Sequence, residues 1–310
     1  MQRHCELCPR RCGVSRVGGE LGACAMGALA VVARASVHPF EEPPISGTRG
    51  SGTVFFSGCS LGCIFCQNRA IRTPESGTQM DAAELGELFL FLQEQGVHNI
   101  NLVTPTHFAD EVAAALSRVR PQLHIPVVYN SGGYERVETL RRLHGLVDVY
   151  LPDFKYASPQ LAERYSAAPD YAAYAERALC EMHAQLGGVQ FDAEGMMTRG
   201  VMVRHLLLPG HRADSVAVLE RIAACVPVHE VRLSLMRQYT PDFAPQDAPA
   251  SMLRRVTSFE YDTVARRALE LGFEGFFQGK ESAQAAFTPD FCEKELLAEF
   301  LNKRQNGVRK

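Results

Sequence analysis

Apolar residues along this chain follow two rhythms from residue 52 onward. Short runs that are apolar on both faces read as strands: TVFFS (53–57), NINLV (99–103), IPVVYN (125–130), VDVYLP (147–152), VMVRHLLL (201–208) and EVRLSLM (230–236), with FEGFFQG (273–279) as a further candidate. A strand lacking a polar face belongs in a parallel sheet covered by helices. Between these runs, apolar positions recur at helical spacing. Asp81 followed by Glu84 is a capping-box pattern. Leu85, Leu88, Phe89 and Leu92 then share one face, and Gly96 suits the C′ position. Thr257 and Glu260 repeat the arrangement ahead of Val264, Ala265, Ala268, Leu271 and Gly272. Further helices are expected at about 108–120, 134–144, 158–187, 213–225 and 290–303. Repeated βα units predict an α/β protein, either a doubly wound sheet or an open βα barrel. In both, ligands bind at the C-terminal ends of the strands. Residues 1–50 show neither rhythm and are rich in Cys, Gly and Pro. They read as an irregular segment ahead of a domain over 51–310.

Composition adds exclusions. The 310 residues are 46% hydrophobic and 22% charged, an ordinary globular balance with enough apolar residues for a sizeable core. The formal net charge is -3, so no bulk field recruits nucleic acid or an anionic membrane. The pairs Arg141–Arg142 and Arg254–Arg255 read as solvated helix faces. The opening residues MQRHCELCPRRC are polar and basic, and the most apolar early run, GALAVVARASV, is broken by Arg34. Neither a signal peptide nor a membrane span is expected, and the location expected is cytoplasmic.

Cysteine usage changes the picture most. Seven of the ten cysteines fall within the first 66 residues. Clustered thiols in a reducing compartment point to metal rather than disulfides. Cys180, Cys225 and Cys292 stand apart and read as small buried apolar residues. Cys59, Cys63 and Cys66 are spaced C-x3-C-x2-C directly after the first strand, on the first βα loop, with Gly58 and Gly62 letting backbone approach a bulky inorganic core. A 4Fe–4S cluster has four irons, so three thiolates leave one open, which points to catalysis rather than support. The alternative is a zinc site completed by His38 or His107.

The loop CSLGCIFC resembles the cluster loop of radical S-adenosylmethionine enzymes, including the aromatic residue before the third cysteine, Phe65. The resemblance implies a partial, open (β/α)6-type barrel and a 4Fe–4S cluster on Cys59, Cys63 and Cys66. It implies S-adenosylmethionine bound at the fourth iron, with Phe65 near the adenine, and cleavage to a 5′-deoxyadenosyl radical. It further implies an external reductant such as flavodoxin or ferredoxin. In the activating-enzyme branch, which includes the pyruvate formate-lyase activating enzyme, the second strand ends in Gly-Gly-Glu. Here it ends in LVTPTH, so Thr104 takes that place, and Thr106 is also a candidate cap for the next helix. Asn130 lies where relatives hold the ribose. Asp153 and Lys155, on one face of LPDFKY, resemble the pair beside the methionine moiety. Arg204 is expected to point into the barrel and His205 away from it, as a packing residue. LMRQYTP should contact nucleotide or substrate. Glu41 and Glu42 either line the approach to the cluster or are loop charges, and read as the latter.

The N-terminal run supplies Cys5, Cys8, Cys12 and Cys24, spaced C-x2-C-x3-C-x11-C. Four thiols suit a closed site, either tetrahedral zinc or an auxiliary 4Fe–4S cluster. So short a segment needs a metal to fold it. This module resembles a less-studied branch of activating-enzyme-like radical proteins. The function expected is a radical S-adenosylmethionine enzyme acting on an unidentified substrate, with a glycine of a partner protein as one class. The rival is a non-catalytic iron–sulfur regulatory or electron-transfer protein.

Overall fold

A computed structural model describes residues 4–246, 248–282, 291 and 295–307. After a coiled N-terminal stretch come β1 (Ala30–His38), a single helical turn α1 (Pro43–Ser46) and β2 (Ser51–Phe56). A short β3 (Thr78–Met80) leads to α2 (Ala82–Glu94) and β4 (Ile100–Val103). Then follow α3 (Ala109–Val119), β5 (Val127–Ser131), α4 (Val137–Arg142) and β6 (Val149–Pro152). Two helices, α5 (Pro159–Ser166) and α6 (Tyr171–Leu186), precede the small β7 (Gln190–Phe191) and the long β8 (Met197–Leu206). The described chain closes with α7 (Arg212–Cys225), β9 (Val231–Met236), α8 (Ser258–Glu270), β10 (Gly275–Phe277) and α9 (Glu295–Gly307).

The strands β2, β4, β5, β6, β8, β9 and β10 lie side by side in chain order, all parallel. β1 pairs antiparallel with β2, and β3 with β1, while β7 pairs antiparallel with β8. The order runs from β10 to β3 without closing. Residues at the C-terminal ends of β2, β4, β5, β6, β8 and β9 line one cavity, so the sheet curls around it as a partly open barrel. The interior strands are apolar on both faces because both faces are covered: every residue of β2, β4, β5 and β6 is buried. Both capping boxes form, at Asp81 with Glu84 and at Thr257 with Glu260.

Several expectations need correction. The first 50 residues are not wholly irregular, because AVVARASVH forms β1 and joins the sheet through β2. The helix expected over 158–187 is two helices. Ala167 adopts φ 46, and Pro169 cannot continue the α5 hydrogen-bond ladder. The helix expected over 134–144 is confined to Val137–Arg142. Cys180 is exposed and Cys225 half-buried, so neither is a core residue; Cys292 lies outside the described residues, as do 290 and 292–294 of the helix expected there. Arg254 follows a 3-10 turn and grips Glu260 at 2.7 Å instead of lining a helix face. No described helix is long and apolar enough to cross a membrane.

Candidate active site

The cluster loop leaves β2 at Phe56 and turns sharply at Gly58 (φ 83) and Gly62 (φ 67). A Cβ at Gly58 would lie 2.5 Å from Met26 Cγ and 2.7 Å from the Cys24 carbonyl oxygen, and one at Gly62 would lie 2.6 Å from the Arg72 guanidinium. The glycines therefore admit neighbouring protein, not only an inorganic core. Cys59, Cys63 and Cys66 all line the cavity. The loop is braced from behind by the end of α5: Ile64 N–H donates to the Tyr165 carbonyl at 3.0 Å, and Ser166 Oγ donates to Cys63 Sγ at 3.0 Å. Burial, with the neighbouring thiols, raises the Cys59 thiol above its usual range and pushes Cys66 up to about 12. Without metal these groups hold their protons, and a thiophilic centre would replace them.

A charged ladder forms the facing wall. Lys155 Nζ donates to Asp153 Oδ2 at 2.5 Å, as period-two alternation requires of two residues on one face. Arg204 Nε donates to Asp153 Oδ1 at 3.0 Å, another guanidinium nitrogen donates to Glu41 Oε2 at 3.2 Å, and the third donates to Asn130 Oδ1 at 2.5 Å. Glu41 Oε1 accepts from the amides of Asn101 at 2.9 Å and Asn130 at 3.3 Å. Burial alone would raise Asp153, but Lys155 and Arg204 overcome it and hold the carboxyl below its usual value. Burial would likewise lower Lys155, and the Asp153 carboxylate holds it above the ordinary lysine value. His205 turns away, as expected, and its Nδ1–H donates to the Phe154 carbonyl at 2.7 Å.

Glu41 and Glu42 are thus not loop charges. Glu41 is a half-buried partner of Arg204, and Glu42 is buried beside it with Oε2 lacking any hydrogen bond; burial raises the Glu42 carboxyl. Sequence reasoning weighed both at the approach to the cluster but favoured loop charges, because no local pattern signals a contact across 163 positions. Thr104 carries a different signal. It lines the cavity at φ 61, a left-handed conformation that costs a β-branched residue about 1–2 kcal/mol and marks strain stored at a site. Thr106 does not cap a helix; its hydroxyl donates to buried Glu135 at 2.5 Å. Phe65 lines the cavity and meets Tyr165 and Tyr239 edge-on, each at 6.3 Å. From LMRQYTP, Met236, Gln238, Tyr239 and Thr240 reach the cavity, while Arg237 lies over the Tyr261 ring. Of the two candidate zinc-completing histidines, His38 lines the cavity, held neutral by burial with a value of about 4, whereas His107 is outside it, donating from Nε2 to the Ser57 carbonyl at 2.7 Å.

The N-terminal cysteines gather beside this loop. Cys5, Cys8 and Cys24 are buried and Cys12 is half-buried. Gly22 sits against two of them, since a Cβ there would lie 3.4 Å from both Cys12 Sγ and Cys24 Sγ. Arg16 donates to Cys24 Sγ at 2.9 Å. Burial raises Cys5 and Cys24 and pushes Cys8 up to about 12; at Cys12 burial is outweighed by backbone N–H donors, and its thiol lies below the usual value. Among the described residues, no three His, Cys, Asp or Glu side chains stand in ready-made coordination about a single metal ion. The donor chemistry of both sets, thiols alone with cationic neighbours, fits a thiophilic centre.

Residues 53–179 match the family model of the Radical SAM superfamily. That span takes in Cys59, Cys63, Cys66, Asn130, Asp153 and Lys155, but not Glu41, Arg204 or the N-terminal cysteines. The chain is 29% identical over 280 residues to the uncharacterized protein MJ0674 of Methanocaldococcus jannaschii, covering 87% of this chain and 74% of that protein. Among solved structures, methylornithine synthase (PylB) aligns with a TM-score of 0.44 at 14% identity, over 70% of this chain and 62% of that one. Streptococcus suis SuiB, bound to its precursor peptide SuiA, aligns with a TM-score of 0.48 at 11% identity, over 71% of this chain and 46% of that one. The chain thus spans less than two thirds of either solved structure.

Proposed function

We propose that the protein is a radical S-adenosylmethionine enzyme, with Cys59, Cys63 and Cys66 as ligands of a 4Fe–4S cluster and the adjoining cavity as the nucleotide site. One observation carries the reading: three thiols from one short loop line the same cavity as the Asp153–Lys155–Arg204 ladder. The family match over 53–179 supports it. When bound, the cluster and S-adenosylmethionine supply an electron and a 5′-deoxyadenosyl radical for hydrogen abstraction. The chain's own residues bind and orient. Lys155 and Arg204 offer N–H groups to a carboxylate, and Asp153 and Glu41 accept from an ammonium. The Asn130 amide donates and accepts at ribose hydroxyls, and Thr104 presents its strained backbone beside them. Phe65, fixed by two tyrosines, gives an aromatic base a flat apolar wall.

The finer reading follows from the resemblance. It makes the substrate a C–H bond, in a glycine of a partner protein, another peptide or a small molecule, with flavodoxin or ferredoxin as reductant. Cys5, Cys8, Cys12 and Cys24 hold a second centre, zinc or a 4Fe–4S cluster, that folds the N-terminal module. The rival is an electron carrier or regulatory protein without turnover. A carrier generally saturates its irons with four cysteines, and a three-cysteine loop on a charged cavity favours catalysis.

The test is anaerobic reconstitution with iron and sulfide, then S-adenosylmethionine and dithionite, with 5′-deoxyadenosine as the product measured. Cys63→Ala abolishes cleavage and one cluster, whereas Cys8→Ala leaves the catalytic cluster assembled. Cluster-loaded wild type that makes no 5′-deoxyadenosine sinks the enzymatic reading. Loss of all iron from Cys8→Ala contradicts two separate sites.

A further inference from the structure

The turn that carries Cys8 and Cys12 sends one side chain the opposite way. Arg10 lies between them in CPRRC, and its guanidinium reaches four backbone carbonyls on two other segments. Nε donates to Ser60 at 2.8 Å, and one terminal nitrogen donates to Ser166 at 2.7 Å and Leu61 at 3.4 Å. The other terminal nitrogen donates to Ala167. Ser60 and Leu61 are residues of the loop between Cys59 and Cys63. Ser166 and Ala167 end α5, whose last carbonyls have no partner within the helix. The same Ser166 donates from its hydroxyl to Cys63 Sγ. Arg10 therefore holds both the loop and the helix end that braces it.

Two further features bind the cysteine sets together. The Cys24 carbonyl and Met26 pack against Gly58, where no side chain would fit. Arg16 bridges Cys24 Sγ to the His107 carbonyl, and the His107 ring donates to Ser57, two residues before Cys59. Among the described residues Arg10 forms no ion pair with a carboxylate. Its charge faces carbonyl dipoles and the Tyr134 ring at 5.5 Å. A guanidinium spent on four carbonyls of two segments fixes backbone geometry, because its planar fork holds its donors in a rigid arrangement, whereas an ammonium has three rotatable donors on a flexible stem.

We infer that Arg10 is a positioning residue that couples the two cysteine sites, so that filling the N-terminal site sets the geometry of the Cys59–Cys66 loop and its response to the nucleotide. The inference rests on the reading of both sites given above. Once Cys8 and Cys12 are drawn onto a shared centre, the turn between them is rigid, and Arg10 transmits that rigidity to Ser60 and Leu61. Residues that orient ligands from behind typically change affinity or activity 10–100-fold when removed.

The experiment uses the full chain, reconstituted anaerobically with iron and sulfide: wild type, Arg10→Ala, Arg10→Lys, Cys5→Ala, and the double variant Arg10→Ala with Cys5→Ala. Iron, sulfide and zinc per chain are measured first, then the electron paramagnetic resonance spectrum of the reduced protein as S-adenosylmethionine is titrated in. Both Arg10 variants are expected to keep wild-type metal content yet to need about tenfold more nucleotide for the same spectral change, less for Lys than for Ala. Cys5→Ala is expected to lose the N-terminal metal and show the same weakened titration, and the double variant to be no weaker than Cys5→Ala alone. Metal-replete Arg10 variants that titrate as wild type overturn the coupling alone, as does an additive double variant. Cys5→Ala with wild-type metal content overturns the second site and the inference with it. Wild type with no spectral response to the nucleotide overturns the proposed function instead. Should Arg10→Ala fail to fold, Arg10→Lys carries the comparison.

Discussion

Replacing Arg204 by methionine tests the charged ladder most directly. The guanidinium is only 15% exposed and is shared by two carboxylates. Asp153 keeps Lys155 as a second cation at 2.5 Å, but Glu41 has no described cation other than Arg204. The variant therefore strands Glu41, whose side chain is only 11% exposed, as an unpaired charge next to Glu42. Removing one partner of a buried ion pair costs about 3–5 kcal/mol, chiefly because the remaining charge is left uncompensated. Glu41→Gln in the same background removes that charge while keeping an oxygen for the Asn101 and Asn130 amides, so it should recover about 2–3 kcal/mol of the loss. Glu41→Gln alone, with Arg204 still paired to Asp153, should cost about 1 kcal/mol. Equilibrium urea unfolding of the four members of this cycle, under reducing anaerobic conditions, gives the coupling energy. Arg204→Met within about 1 kcal/mol of wild type, or a double variant less stable than Arg204→Met, would refute the reasoning.

Two other perturbations separate physical causes elsewhere. Glu135 is fully buried beside the hydroxyl of Thr106, and burial raises its carboxyl to about 7 against 4.5 in the unfolded chain. The folded state holds a proton between those values that the unfolded state has lost. This contribution is intact below pH 4.5 and disappears as pH rises through 7, about 3 kcal/mol in all. Thermal unfolding from pH 5 to 8.5 should show Glu135→Gln lacking that slope, and equal pH profiles for the two proteins would contradict it. Gly58→Ala combines a left-handed φ with a clash against Met26 and the Cys24 carbonyl, whereas Gly96→Ala, at φ 76 with no atom near, carries the backbone cost alone. Gly96→Ala should cost about 1 kcal/mol. Gly58→Ala should cost about 1–3 kcal/mol more and speed proteolysis near residues 24–26. Equal costs would show that the two cysteine segments are not packed together at Gly58.

The parallel strands were legible because burial on both faces leaves an unmixed apolar run, and seven such runs became the seven parallel strands. β1 escaped because it lies in the antiparallel end of the sheet, between β2 and β3, and Arg34 and Ser36 interrupt its apolar pattern. The break between α5 and α6 was signalled by Pro169, but helical spacing resumes after it and masked the boundary. Cys59, Cys63 and Cys66 were legible because their spacing is local. Asp153 and Lys155 were legible because alternation fixes their common face. Glu41 was not, since nothing in its own neighbourhood indicates that it crosses to Asn101, Asn130 and Arg204. The role of Arg10 was equally silent: in the sequence it is one of two arginines between cysteines, and only the fold shows which carbonyls it holds.

The cavity's charge balance depends on that illegible residue. Four charged side chains line it: Glu41 and Asp153 against Lys155 and Arg204. Without Glu41 the wall would carry net positive charge and would favour a simple anion. With Glu41 the wall is neutral, and each cation is already paired. An anion entering such a cavity gains nothing unless it brings a positive group to take over the carboxylate it displaces. On the proposed reading a zwitterionic head group would do this, its carboxylate taking N–H donors from Lys155 and Arg204 and its ammonium the oxygens they release. The same wall offers no attractive field to a polyanion, which agrees with the chain's near-neutral overall charge. On that reading the selectivity would come from paired charges exchanging partners, and Glu41, contributed from outside the family-matched span, would make that exchange balance.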